Sequence, residues 1–319
     1  MTRAEALGRG RARLAAASPT NSASSSPAPP ETSATPSLDA SLILASLLGM
    51  RRETLLTRPE VEVEDAVLRR FDEAIERRAL GSPVAYITGE KEFYGRIFAV
   101  SEAVLVPRPD TELLVELALE EGDRLAARGG RPPRLHECCV GSGAVILSIA
   151  AERPSWIVSA SDISGAALEV VAYNASRLLP ADREGGAPRL YESDLLARPT
   201  GSAGSPGLAG SPGLAGPEGP FDLILANPPY VESALARDLS GRWGEPLLAL
   251  DGGADGLELC RRLVPEAAAR LAPGGLLLVE ADGPQAPMLR ALFVASGLVD
   301  PRSLRDLAGI ERVSIGVHP

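Results

Sequence analysis

From Arg134 onward, short apolar runs alternate with helix-like stretches. That alternation constrains the fold more than any other feature of the 319 residues. Strands fit at 134–139, 157–162, 221–226 and 275–280, and helices at 144–152, 166–179, 257–271 and 288–296. Strand–helix–strand units in series imply a doubly wound, mostly parallel sheet of the α/β class. The tail at 311–317 alternates in polarity and predicts a last strand. Open sheets of this kind bind ligands beyond the carboxyl ends of their strands. The residues that follow each strand are therefore the functional candidates.

The chain before this region reads differently, and the length favours two domains. Residues 39–80 carry helical stripes, Leu42, Ile43, Leu47 and Leu48, then Val67, Leu68, Phe71 and Ile75. Arg3, Arg9, Arg11 and Arg13, followed by a Ser-rich stretch, superficially match an organelle transit peptide. The preferred reading is a short helix through Ala4, Leu7 and Leu14. Residues 18–37 are Ser, Pro, Ala and Thr with almost no large apolar side chain, which predicts a disordered insert. Together, residues 1–82 form an expected helical domain. Aromatic residues clustered around Gly95 predict a β-hairpin linker over 83–107. Residues 108–319 form the α/β domain, with a helix starting at Pro109 and Asp110. Within it, a tandem Gly-Ser-Pro-Gly-Leu-Ala repeat makes 198–219 a low-complexity loop.

The strand at 221–226 runs into Asn227-Pro228-Pro229-Tyr230. Two prolines stiffen this loop and remove two N–H donors, leaving bare carbonyls. A carboxamide, carbonyls and a flat ring suit a planar amide or an aromatic amine. The strand at 134–139 leads into Glu137-Cys138-Cys139-Val140-Gly141-Ser142-Gly143-Ala144. Glycines there allow close approach to the backbone and expose helix N-terminal amides. Val145 and Ile146 occupy the places where a dinucleotide fingerprint needs its third glycine, so NAD fits poorly. Asp162 ends the next strand about 20 residues on, where an acid can accept from ribose hydroxyls. A helix N-cap role, with Ser164 as competitor, is the alternative. Asp194 and Leu195 suit the edge and face of an adenine, or form an ordinary loop.

Composition narrows the function further. A net charge of −10 argues against a broad nucleic-acid surface. His136, Cys138 and Cys139 sit on one predicted strand with no second cluster, which argues against zinc. With His318 in the tail as the other histidine, a histidine base is not expected. No apolar run reaches 18 residues, so no membrane helix is expected.

These motifs together resemble one family, the peptide chain release factor glutamine-N5 methyltransferases, also called PrmC or HemK. The resemblance extends to Pro83-Val84-Ala85-Tyr86-Ile87-Thr88-Gly89 with Glu92-Phe93-Tyr94, to Val106-Pro107-Arg108-Pro109-Asp110-Thr111-Glu112, and to Arg305-Asp306-Leu307 with Glu311-Arg312. It covers most of the chain from Asp39. It implies a class I methyltransferase that uses S-adenosyl-L-methionine (AdoMet), with an N-terminal helical substrate-recognition domain. Its implied partners are class 1 release factors, methylated on the glutamine of their Gly-Gly-Gln loop. No membrane or stable nucleic-acid partner is expected, and the implied location is cytoplasmic.

By position, the resemblance assigns AdoMet binding to Glu137, Cys139, Val140, Gly141, Ser142, Gly143, Asp162, Asp194, Leu195 and Asn227. It assigns the glutamine to Asn227, Pro228, Pro229 and Tyr230. Family members usually have Asp and Gly where this chain has Glu137 and Cys139, and often an aromatic where it has Leu195. A cysteine at a position needing positive φ is expected to be strained. Asn227 Oδ1 and the Pro228 carbonyl are expected to accept the two amide hydrogens, with Tyr230 packed on the amide plane. The rival readings are an adenine-N6 methyltransferase acting on DNA or RNA, and a non-catalytic AdoMet-fold scaffold.

Overall fold

The computed structural model describes residues 1–17, 35–197 and 216–319. Most of the expected insert and of the low-complexity loop lies outside the described residues. The described end of the insert differs from expectation. Pro36 opens helix α2, because proline is tolerated in a first helical turn and presets its φ.

Met1–Glu90 with Asp238–Glu245 form one compact unit. Its helices are α1 (Arg3–Ala17), α2 (Pro36–Leu47), α3 (Arg52–Thr57), α4 (Asp65–Ala79) and α5 (Val84–Thr88). Ala6, Gly10 and Leu14 recur every four residues on the buried side of α1. Gly10 lets the helix close on α4, since a Cβ there would sit 2.7 Å from the Phe71 ring. The arginines of α1 pair with acids of α4, Arg9 with Asp72 and Arg13 with Glu76, both at 2.7 Å. Inside the unit Arg78 and Asp39 form a buried pair, also at 2.7 Å.

Residues 84–88 were expected to join the hairpin, and they are helical instead. The Pro83 carbonyl accepts from Tyr86 and Ile87 N–H, and Gly89, at φ +76°, ends the turn. One apolar turn of five residues is too short to show a period that separates helix from strand. The hairpin itself is β1 (Glu90–Phe93) and β2 (Arg96–Ala99).

The second unit, Lys91–Arg237 with Pro246–Pro319, holds the sheet. Its further elements are α6 (Glu112–Gly129), β3 (Arg134–Cys138), α7 (Ala144–Glu152), β4 (Ile157–Asp162), α8 (Gly165–Leu178), β5 (Arg189–Glu192) and β6 (Phe221–Ala226). After α9 (Ser233–Trp243), which runs into the first unit, come α10 (Glu258–Ala268), β7 (Leu271–Glu280), α11 (Ala286–Ala295), β8 (Val299–Arg305) and β9 (Glu311–Val317). The strand order is β5-β4-β3-β6-β7-β9-β8, with β9 antiparallel to both neighbours. This is the doubly wound, mostly parallel sheet that the alternation predicts.

Residues alternate between its two faces as the pleat requires. Leu223 and Leu225 join a core with α6, α7 and α8, while Ile224 and Ala226 join a second core with α10 and α11. Two elements escaped the pattern. In α9 the apolar stripe is thin, and β8 carries Pro301 beside a register shift, as an edge strand can.

Candidate active site

A cavity of about 400 Å³ opens at the carboxyl ends of β3, β4, β5 and β6. One end is the turn from β3 into α7. Three residues of that turn have positive φ, Cys139 at +57°, Gly141 at +52° and Gly143 at +80°. The left-handed conformation anticipated for Cys139 is thus present, at a cost of about 1–2 kcal/mol for a side chain with a Cβ. Val140 N–H donates to the Ser161 carbonyl and Gly143 N–H to the Val140 carbonyl, at 3.1 and 2.8 Å. At Gly143 a Cβ would come within 3.0 Å of Leu147 and Val171, whereas at Gly141 it would meet nothing within 4 Å. Gly141 lines the cavity, and its backbone is open to a ligand.

Two carboxylates hold this turn. Glu137 is buried, and its Oε2 accepts the Ile146 N–H at 2.9 Å, satisfying one free donor of the α7 N-terminus. Asp162 accepts Gly141 N–H at 3.0 Å and Ser164 N–H at 2.9 Å. The cap of α8 is Ser164, which accepts from Ala167, so the N-cap alternative for Asp162 is not the one adopted. Burial pushes the Glu137 pKa well above the usual carboxylate range, and the charges of Asp162 and Glu280 push it further. Burial likewise raises Asp162, against the backbone N–H groups that favour its ionised form. Two like charges with little solvent favour a cationic ligand that also carries hydrogen-bond donors. An ammonium with ribose hydroxyls has that chemistry, so these residues fit AdoMet.

Beyond β5, Leu195 is buried and lines the cavity with φ +56°. Asp194 also lines it, and its Oδ2 is held 2.6 Å from Arg262 Nη2. Thus Leu195 presents an apolar wall, while the Asp194 carboxylate is partly spent on an ion pair. His136 is spent inside the sheet, between Ser159 and Ser161 at 2.9 and 3.0 Å, and burial lowers its pKa to about 3. Among the described residues, no three His, Cys, Asp or Glu side chains group to hold a metal.

The other end of the cavity is the loop after β6. Asn227 and Pro229 line it; Pro228 is buried and, like Tyr230, is not among the lining residues. Asn227 Nδ2 donates to Thr111 Oγ1 at 3.2 Å. Thr111 in turn lies 3.1 Å from Glu280 Oε1, at the end of β7. The loop is gripped from behind by glycines. A Cβ on Gly252 would fall 2.6 Å from the Pro229 carbonyl, and one on Gly256 only 2.1 Å from the Tyr230 carbonyl. Gln285 Nε2 donates to that same Tyr230 carbonyl at 2.9 Å. Burial raises the Tyr230 hydroxyl pKa above its ordinary value.

A family profile described as PrmC N-terminal domain matches residues 31–89. A release factor glutamine methyltransferase of Burkholderia pseudomallei is 40% identical over 88% of this chain and 92% of its own length. The chain belongs to the release factor glutamine methyltransferase family. The protein of that name from Bradyrhizobium diazoefficiens is also 40% identical, over 86% of each chain. A solved protein-(glutamine-N5) methyltransferase (release factor-specific) from Alicyclobacillus acidocaldarius is 25% identical, with TM-score 0.36, covering 67% of this chain and 94% of its own.

Use of AdoMet is general for this family. Every residue assigned to the cofactor lies on the cavity wall except Gly143, whose part is to let the turn close on Leu147 and Val171. Sequence reasoning missed three contributors. Thr111 lies inside the 106–112 motif with no local pattern to mark its role, and Glu280 ends a strand whose sequence carries no such mark either. Asn174, fully buried on α8, donates to the Ser142 and Ala99 carbonyls at 2.9 and 3.0 Å and accepts from Ala99 N–H. It ties the hairpin to the cofactor turn. A buried Asn in a helical stripe was the available signal, since such a group must find partners.

Proposed function

We propose that this protein transfers a methyl group from AdoMet to the side-chain amide nitrogen of the glutamine in the Gly-Gly-Gln loop of class 1 release factors. The observation that carries the reading is Asn227 on the cavity wall, with its Nδ2 engaged by Thr111 and its Oδ1 accepting no hydrogen bond among the described residues. A glutamine amide is a poor nucleophile, because its lone pair is delocalised into the carbonyl. Asn227 Oδ1 and a carbonyl of the proline pair accept its two N–H groups, which orients the nitrogen and favours the positive charge that develops on attack. The Pro228 carbonyl is the one assigned this part, because the Pro229 carbonyl faces Gly252 behind the loop. Tyr230 braces the loop and closes on the amide plane when substrate is bound.

When bound, AdoMet supplies an electrophilic methyl on its sulfonium. Glu137 takes the ammonium and Asp162 the ribose hydroxyls, while Leu195 packs on the base with Asp194 at its edge. The turn from Cys139 to Gly143 follows the rest of the molecule. A cation beside them favours the ionised forms of Glu137 and Asp162, against the burial that raises both. No proton has to leave before attack, so no strong base is required at the nitrogen.

One glutamine side chain offers too little surface to select a protein. The helical unit is therefore assigned the contacts away from the amide, and a release factor substrate places the protein in the cytoplasm. Incubation with labelled AdoMet and either an intact release factor or nucleic acid tests the whole reading. Label on glutamine of the release factor is expected. Label on adenine alone would replace this function with the rival one, and no turnover with either would favour the scaffold.

A further inference from the structure

The hydroxyl of Thr111 stands between two groups that cannot be satisfied independently. Asn227 Nδ2 is 3.2 Å from it and Glu280 Oε1 is 3.1 Å from it on the other side. Glu280 is buried at 1% exposure, and its Oε2 makes no hydrogen bond among the described residues. An ionised carboxylate only accepts, so the single hydroxyl proton of Thr111 goes to Glu280. The hydroxyl oxygen is then an acceptor towards Asn227, and only the –NH2 end of the carboxamide can meet it. Oδ1 is thereby left for the cavity.

The geometry points to Glu280 and Thr111 as positioning residues that decide which end of the Asn227 carboxamide faces the substrate. This rests on the glutamine reading above, since only a substrate that brings N–H donors needs Oδ1 presented. The mechanism works at a distance, as neither residue has to touch the amide. A reversed carboxamide would point –NH2 at –NH2, exchanging an attraction for an unpaired donor pair at the reacting nitrogen.

The surroundings make the polarity switchable. Burial raises the Glu280 pKa to about 7, opposed by the Thr111 hydroxyl, Arg312 of β9 and Asn227, and reinforced by Asp110 ahead of α6. Glu137 of β3 also feels Glu280, as does Tyr230, which Arg312, Arg108 and Asp282 face as well. Arg312 is itself shared among Asp306, Asp282 and Asp110, at 3.3, 3.5 and 3.6 Å, so it cannot fully neutralise Glu280. Protonated, Glu280 becomes a donor to Thr111. The hydroxyl proton is then free to turn to Asn227, and the bias on the carboxamide is lost.

The chain contains three asparagines, Asn21, Asn174 and Asn227, so asparagine-selective 15N labelling yields three side-chain amide pairs. In the full-length protein without substrate, the Asn227 pair is expected to titrate with a midpoint near pH 7, and Glu280→Gln to abolish that titration. In release factor methylation, Thr111→Val should lower kcat about tenfold or more with AdoMet affinity unchanged, and Thr111→Ser should restore it. Unchanged Asn174 signals establish that the valine variant is folded. An Asn227 pair that ignores pH in the wild type, or wild-type kcat in Thr111→Val, overturns the assignment. A wild-type protein that labels no release factor defeats the glutamine reading instead, while the titration still decides the orientation of Asn227.

Discussion

The two ends of the cavity are built on opposite plans. The cofactor end is continuous in the chain, one strand–turn–helix from Glu137 to Ala144 with Asp162 on the adjacent strand. Its carboxylates are tied to backbone N–H groups, Glu137 to Ile146 and Asp162 to Gly141 and Ser164. The substrate end is assembled from segments far apart in sequence: Thr111 ahead of α6, Asn227 after β6, Gly256 before α10, Glu280 at the end of β7 and Gln285 before α11. There the key contacts are between side chains, or between a side chain and a distant carbonyl. Backbone-tied groups can be damaged without losing orientation altogether. A side-chain relay fails as a unit, so the two ends should respond differently to substitution.

The sharpest contrast is Asn227→Ala. It should reduce kcat roughly 100-fold or more while AdoMet affinity stays within a few-fold, because a hydrogen bond to developing charge, worth about 1.5–3 kcal/mol, and the orientation go together. Isothermal calorimetry with single-turnover methylation separates the two quantities. Near-normal turnover would remove Asn227 from the chemistry and erase the distinction between the ends.

Next in size is a pH effect confined to the substrate end. The folded-state pKa of Glu280 is raised from 4.5 to about 7, so its contribution to stability is full below about pH 4.5 and is lost as pH rises through 7. A shift of that size corresponds to roughly 3 kcal/mol. Glu280→Gln cannot ionise, so its melting temperature relative to wild type should climb between pH 5 and pH 8. A constant difference across that range would mean that Glu280 is not held in the way described.

Asp162→Ala tests the cofactor end. It strands the Gly141 and Ser164 N–H groups, costing about 1–3 kcal/mol of stability, and it should weaken AdoMet at least tenfold. The kcat at saturating AdoMet should change far less than in Asn227→Ala. Calorimetry that finds cofactor affinity unchanged would reassign the residue to turn geometry alone.

The smallest effect sharpens the same end. Cys139→Gly relieves a left-handed backbone at φ +57° and should stabilise the protein by up to about 1 kcal/mol, or roughly 2–4 °C. A lower melting temperature would show that packing of the half-buried Cys139 side chain outweighs the strain.

What the sequence determined on its own follows from local rules. Period-two and period-3.6 patterns placed β4 and β6 to the residue, and the glycine turn and Asn227-Pro228-Pro229-Tyr230 at their strand ends. These signals are written in consecutive residues, so no knowledge of distant contacts is needed. Weak or short patterns failed for the same reason: five residues at 84–88 cannot display a helical period, and Pro301 disguises an edge strand. Only the tertiary structure decided that Thr111 meets Asn227 across 116 positions of chain and Glu280 across 169, and that Gly252 and Gly256 close on the proline loop. No local propensity encodes such meetings. They arise when the sheet brings β6 and β7 side by side and the polar groups at their carboxyl ends must find partners.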